Sequence, residues 1–123
     1  MMRKDNLTRL ARFKLNEKRR QVEQLELMMA EFDRMCADLE AQVISEEKKS
    51  GITDQTHFAY PMFAKAARQR RENLGNSVND LRVQINAAKI ALEEAEAEFE
   101  HAEKLQQRET MREEAEIPKQ AAS

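Results

Sequence analysis

The sequence predicts an all-α protein in which two long helices form an antiparallel coiled-coil hairpin. Three observations point to this fold class. Apolar residues recur every three or four positions over two long stretches, one break separates the stretches, and the 123 residues include only two glycines and two prolines. Charged residues make up 36% of the chain, which is typical of long helices and coiled coils. This length allows one domain, predicted at residues 1–116.

The first helix is predicted at about residues 5–49. Its apolar stripe repeats with a period of seven residues over four heptads, which keeps the stripe facing a partner helix. Eight of the nine stripe positions are apolar, and Lys18 is the exception. The stripe consists of Leu15, Lys18, Val22, Leu25, Met29, Phe32, Cys36, Leu39 and Val43.

The break at about residues 50–60 is predicted to be the tip of the hairpin. Gly51 can take the left-handed conformation that closes a helix, and Pro61 suits the first turn of the next helix. Aromatic and large apolar residues concentrate here, which leaves two interpretations open: a small cluster that closes the turn, or an exposed patch for a partner. These residues are Ile52, Phe58, Tyr60, Met62 and Phe63.

The second helix is predicted at about residues 61–115, and all nine of its stripe positions are apolar. Gly75 is a weak point, because glycine costs a helix roughly 1 kcal/mol relative to alanine. Pro118 is expected to end the helical region, and residues 117–123 are predicted to be a disordered tail. The stripe consists of Leu74, Val78, Leu81, Ile85, Ala88, Leu92, Ala95, Phe99 and Ala102.

Charge and side-chain size both favour pairing of the two helices within one molecule. A tip near residue 55 places residue i beside residue 110 − i, so that Val22 meets Ala88 and Ala11 meets Phe99, large against small. Residues 1–20 carry eight basic and two acidic side chains, and residues 90–116 carry ten acidic and three basic ones. The hairpin lays these opposite charges side by side, whereas a parallel dimer would set like against like.

No constellation of residues points to catalysis, to a cofactor or to a metal, and an enzyme is not expected. His57 and His101 are predicted to lie far apart in the hairpin, and Cys36 fits a small seam residue in a reducing compartment. The glutamates of the second helix lack an inward-facing histidine partner and are expected on outward faces; they are Glu93, Glu94, Glu96, Glu98 and Glu100.

Two segments of the chain resemble the FliJ family of flagellar type III export proteins, in the form seen in alphaproteobacteria. The first is Arg9-Leu10-Ala11-Arg12-Phe13 followed by Asn16-Glu17-Lys18-Arg19-Arg20. The second comprises Gly51-Ile52, then the run from His57 to Ala67, then Arg70-Arg71-Glu72-Asn73-Leu74. The resemblance covers about residues 3–108.

The resemblance implies a stalk-like or chaperone-like protein, similar to the central subunit of rotary ATP synthases, that serves bacterial motility. Its implied partners are the flagellar export ATPase hexamer, the cytoplasmic domain of the membrane export gate, and export chaperones. It implies a cytoplasmic protein held peripherally at the inner membrane by these partners, without membrane insertion.

The implied contacts can be carried over in part to residues of this chain. The expected export-gate contacts lie at the tip and at the start of the second helix: Phe58, Tyr60, Phe63, Ala67, Arg70 and Leu74. The expected ATPase contacts are basic residues near the two termini, chosen by position and charge: Arg3, Lys4, Arg9, Arg12, Arg108 and Arg112.

Two other interpretations remain open. The periodicity alone also fits a generic coiled-coil adaptor or a self-associating scaffold without an export role. The basic N-terminal stretch would suit a nucleic-acid binder, but the acidic second helix cancels its field and no aromatic stacking platform accompanies it. Nucleic acid is therefore not an expected partner.

Overall fold

The chain folds into two long helices, confirming the predicted antiparallel hairpin. The computed structural model describes the backbone of residues 2–122 and the side chains of residues 6–116. Helix α1 is Met2–Ser50, helix α2 is Met62–Ala122, and residues 51–61 form the loop between them, here called the tip. Residues 2–122 contain no strand.

The observed helix bounds differ from the predicted ones by a few residues. Pro61, predicted in the first turn of the second helix, lies just before α2, where its carbonyl oxygen accepts a hydrogen bond from the Lys65 N–H at 3.1 Å. Helix α2 continues to Ala122, beyond its predicted end near residue 115 and past Pro118, the predicted end of the helical region. Pro118 has no backbone N–H, so the helix passes it with one hydrogen bond missing. The side chains of the predicted tail, residues 117–123, lie outside the described ones.

The contacts divide the chain into two units, each built from one segment of α1 and one of α2. The terminal unit comprises the residues up to Glu23 and those from Ala87 on. The tip unit comprises Gln24–Asn86 and includes the loop. Each unit therefore holds its own stretch of the seam between the helices.

The predicted seam is buried in both units. Every one of the eighteen stripe positions is buried or half-buried, including Lys18. In the tip unit, Val43 packs with Ala67, which is the predicted register. In the terminal unit, the Arg12 guanidinium lies over the Phe99 ring, 5.4 Å from its centroid, one residue from the expected pairing of Ala11 with Phe99.

Arg71 lies three residues before Leu74, the first residue of the second stripe, and its half-buried side chain reaches across to α1. The Arg71 Nε donates to Glu40 Oε1 at 2.7 Å. On the way, its Nη1 passes over Gly75, where an added Cβ would meet it at 3.2 Å. The long stem of an arginine can cover apolar surface while its charge finds a partner at the edge.

The two glycines give a matched test of this structure. Gly75→Ala is expected to raise the free energy of unfolding by about 0.5–1 kcal/mol, because alanine favours the helix and the exposed end of Arg71 can shift by a few tenths of an ångström. Gly51→Ala is expected to lower the free energy of unfolding by about 1–2 kcal/mol, because Gly51 has φ +72° and a side chain strains this left-handed backbone. Nothing lies within 4 Å of the added Cβ, so no steric clash adds to this strain. Thermal unfolding followed by circular dichroism measures both; a destabilised Gly75→Ala would show that Arg71 is fixed in place.

Candidate docking surface at the tip

Helix α1 ends at the glycine that the sequence singles out. The Gly51 N–H donates to the Glu47 carbonyl at 2.9 Å, the bond of a left-handed helix cap. The Ser50 hydroxyl donates to the same carbonyl at 3.2 Å and accepts the Ile52 N–H at 3.1 Å. These bonds satisfy the backbone where the helix stops, so the chain leaves α1 in a fixed direction.

Short-range hydrogen bonds hold the middle of the tip. Asp54 Oδ1 accepts both the Thr56 N–H at 2.9 Å and the Thr56 hydroxyl at 2.7 Å, and these two bonds lower the pKa of the Asp54 carboxyl. His57 accepts twice, through Nδ1 from the Ala59 N–H and through its carbonyl from the Tyr60 N–H, each at 3.0 Å. Because the pKa of Asp54 is lowered, its charged carboxylate stabilises the loop at pH values above the ordinary carboxyl pKa. This stabilisation is lost as the pH falls through the lowered pKa.

Tyr60 fastens the tip to both helices. Its side chain is buried, with 7% exposed, and its hydroxyl donates to Glu47 Oε2 on α1 at 3.1 Å. Arg68 on α2 donates to the same hydroxyl through Nε at 2.9 Å and to Glu47 Oε2 through Nη2 at 3.1 Å. These two bonds raise the pKa of Arg68 and keep it charged. The three side chains form a closed triangle that fixes the loop.

Three large side chains in the tip and in the first turn of α2 face outward and form what we call the tip patch: Phe58, Met62 and Phe63. Ile52 is half-buried. Phe58 is 96% exposed, and its ring stacks on the His57 ring with centroids 4.7 Å apart. Met62 and Phe63 are also exposed. Both interpretations left open by the sequence therefore hold in part, because Tyr60 closes the turn while the tip patch stays accessible.

A groove between α1 and α2 of the tip unit contains two of the residues that the resemblance indicates. Phe63, Ala67, Arg70 and Leu74 follow one another at intervals of four, three and four, which places them on one face of α2. Arg70 and Leu74 line a groove of about 450 Å³, which we call the tip groove. Its walls are Met35, Asp38, Leu39, Gln42, Arg70, Asn73, Leu74 and Ser77.

The α1 wall of the tip groove is the part that sequence reasoning missed. Leu39 is a seam residue that also lines the groove, beside Met35 and Gln42. The available signal was the heptad position, because Met35 and Gln42 each directly precede a seam residue of α1, namely Cys36 and Val43. An exposed methionine at such a position flanks the seam and is accessible to a third helix.

Three arginines near the start of α2 differ in their partners. Arg68 pairs with Glu47, and Arg71 pairs with Glu40. Arg70 is exposed in the tip groove and has no ion-pair partner among the side chains of residues 6–116. Arg70 is thus the one of the three without an ion pair in the described part of the chain, and it lies two helical turns from Phe63 of the tip patch.

The residues expected to contact an ATPase lie in the terminal unit. Arg9, Arg12, Arg108 and Arg112 are all exposed, and Arg12 extends over Phe99. The side chains of Arg3 and Lys4 lie outside the described residues.

The remaining chemical groups form no second candidate site. Cys36 is a buried free thiol of the seam, and the five glutamates expected on outward faces are exposed. Over the described residues, no cluster of histidine, cysteine and carboxylate side chains could hold a metal ion.

Comparison with known proteins identifies no relative of this chain. No family model, no curated protein and no solved structure matches the chain. Within the described part of α1 and α2, no stretch is long and apolar enough to cross a membrane.

Proposed function

We propose that this chain is a non-catalytic adaptor of the flagellar type III export apparatus, of the FliJ type, which links the export ATPase to the membrane export gate. The tip patch carries this proposal. Phe58, Met62 and Phe63 are exposed although the loop around them is held by hydrogen bonds and by the Tyr60 triangle. A fixed loop that keeps large apolar side chains in water is the arrangement expected of a docking site.

The tip groove supplies the rest of the gate-binding surface. Phe63 and Arg70 are two helical turns apart on one face of α2, and Leu74 and Met35 provide apolar walls below them. A partner would insert an apolar side chain between these walls and set a carboxylate against Arg70. Tyr60 acts indirectly in this proposal, because its buried ring and bonded hydroxyl position the loop.

The basic residues of the terminal unit are the proposed contacts of the ATPase hexamer. Arg9, Arg12, Arg108 and Arg112 are exposed, and arginine is well suited to carboxylates on a partner because it presents a planar fork of donors. The proposed location is the cytoplasmic face of the inner membrane, reached through these protein partners and export chaperones.

Binding to the isolated cytoplasmic domain of the export gate tests the proposal. Phe63→Ala and Arg70→Ala are each expected to weaken binding about 10-fold or more, since large apolar and arginine side chains dominate protein interfaces. Val83→Ala is the matched control, because Val83 is an exposed apolar residue of α2 outside the tip patch and the tip groove. Calorimetry or surface plasmon resonance gives the affinities.

The outcomes separate this proposal from its alternative. If all three variants bind the gate domain as tightly as the wild-type chain does, the contact lies away from the tip. A wild-type chain that binds neither the gate domain nor the ATPase at low salt would leave a generic coiled-coil adaptor as the function.

A further inference from the structure

The terminal unit has an apolar groove of its own, which the proposed function does not use. This terminal groove has a volume of about 250 Å³ and lies between α1 and α2 on one side of the seam. Its apolar lining includes three exposed leucines, Leu7, Leu10 and Leu105, above Ala11 and Ala102 of the seam. Three exposed leucines around one groove form a contiguous apolar patch, whereas exposed apolar residues that are scattered singly need no explanation.

The rim of the terminal groove carries one charge of each sign. Lys14 on α1 and Glu98 on α2 both line it, and both are exposed. Neither side chain has an ion-pair partner within residues 6–116. The opposite side of the terminal unit differs, because polar and charged side chains such as Arg12, Glu103 and Gln107 line it.

We infer that the terminal groove is covered by the same groove of a second copy of this chain. A twofold axis parallel to the helices sets α1 of one copy against α2 of the other. Each Lys14 then meets the other copy's Glu98, and each Leu7 meets the other copy's Leu105. A surface that complements itself in this way is what a twofold interface requires.

Charge selects this axis over the alternative one. A twofold axis perpendicular to the helices would place α1 on α1, and residues 1–20 carry eight basic and two acidic side chains. The parallel axis instead sets this basic stretch against residues 90–116, which carry ten acidic and three basic side chains. Opposite charges attract across such an interface, and like charges exclude the wrong arrangement.

The size of the groove sets the strength of the dimer. From Leu7 to Lys14 the groove spans about 12 Å of helix, and with flanking residues the contact area is on the order of 400 Å² per copy. Stable dimers bury about 800 Å² per partner. Beyond the groove, Glu17 of each copy would meet Glu94 of the other copy, and the repulsion between these carboxylates would end the contact. We therefore expect a weak dimer that forms at high concentration and low salt.

A charge exchange between two variants tests the pairing of Lys14 with Glu98. In sedimentation equilibrium at about 50 mM NaCl, the molar mass of the wild-type chain is expected to rise from 14.3 kDa towards twice that value as the concentration approaches about 1 mM. Lys14→Glu and Glu98→Lys are each expected to weaken self-association about 10-fold, because like charges then meet at both symmetric contacts. An equimolar mixture of the two variants is expected to restore dimers, since every contact again joins opposite charges.

Two leucines supply the control for the apolar part. Leu10→Asn is expected to weaken the dimer, whereas Leu27→Asn, at an exposed leucine of α1 in the tip unit, is expected to leave it unchanged. Circular dichroism confirms that each variant is helical. A wild-type chain that stays monomeric to about 1 mM at low salt would overturn the inference and leave the groove to another partner. Unchanged association of both charge variants would also overturn it, because dimers would then use another surface.

Discussion

Leu81→Ala is expected to lower the free energy of unfolding by about 2–4 kcal/mol, the largest effect of any single truncation proposed for this chain. Leu81 is 3% exposed on the seam of the tip unit. Truncation removes the apolar contacts of a buried leucine and leaves a cavity that the neighbouring helices fill only in part. Because two paired helices bury little surface for their length, this cost is a large part of the total stability.

The matched control for this truncation is Leu27→Ala. Leu27 lies in the same unit but is 71% exposed, so its loss is expected to change the free energy of unfolding by about 0.5 kcal/mol or less. Urea unfolding followed by circular dichroism gives both values. Equal effects of the two truncations would contradict the assignment of the seam.

Arg68→Ala is expected to cost about 1–3 kcal/mol, since it leaves a carboxylate at Glu47 that is only 13% exposed with one remaining donor, the Tyr60 hydroxyl. Arg71→Ala removes a comparable pair, with Glu40, but both partners there are largely accessible to water. It is therefore expected to cost about 0–1 kcal/mol. The two arginines differ in the burial of their partners more than in the geometry of their bonds.

Hydrogen exchange locates the effect of Arg68→Ala in the loop. The Tyr60 amide, which donates to the His57 carbonyl, is expected to exchange faster in this variant than in Arg71→Ala. Tyr60→Phe removes the hydroxyl alone and is expected to have a smaller effect than Arg68→Ala. Similar exchange rates at Tyr60 in all three variants would show that the triangle does not hold the tip.

The seam and its register could be predicted because both follow from local patterns. Each apolar residue lies three or four positions from the next, so the stripe is visible without any tertiary information. Gly51 could be placed as the end of α1 for a similar reason, since a left-handed residue is required at such a helix end.

The division of the tip into a buried and an exposed part could not be predicted. Tyr60, Phe58 and Phe63 are all aromatic residues of one short stretch, and what separates Tyr60 is a hydroxyl that bonds to Glu47 and Arg68, thirteen residues before and eight residues after it. Hydrogen bonds between side chains of the loop and both helices depend on the loop conformation, which the heptad pattern does not specify. The α1 wall of the tip groove could not be recognised from the sequence because Met35 and Gln42 lie beside the seam, and whether a groove opens there depends on how the two helices pack.

The register of the hairpin also implies an order in which its contacts form during folding. Val43 and Ala67 are separated by 24 positions along the chain, whereas Arg12 and Phe99 are separated by 87. The entropy lost in closing a flexible loop grows with its length, and this difference corresponds to roughly 1 kcal/mol. Pairing that starts beside Gly51 and advances by one turn at a time avoids that loss, because each new contact closes only a short additional segment. The contacts of the seam would then form in order, from those nearest Gly51 towards the two termini.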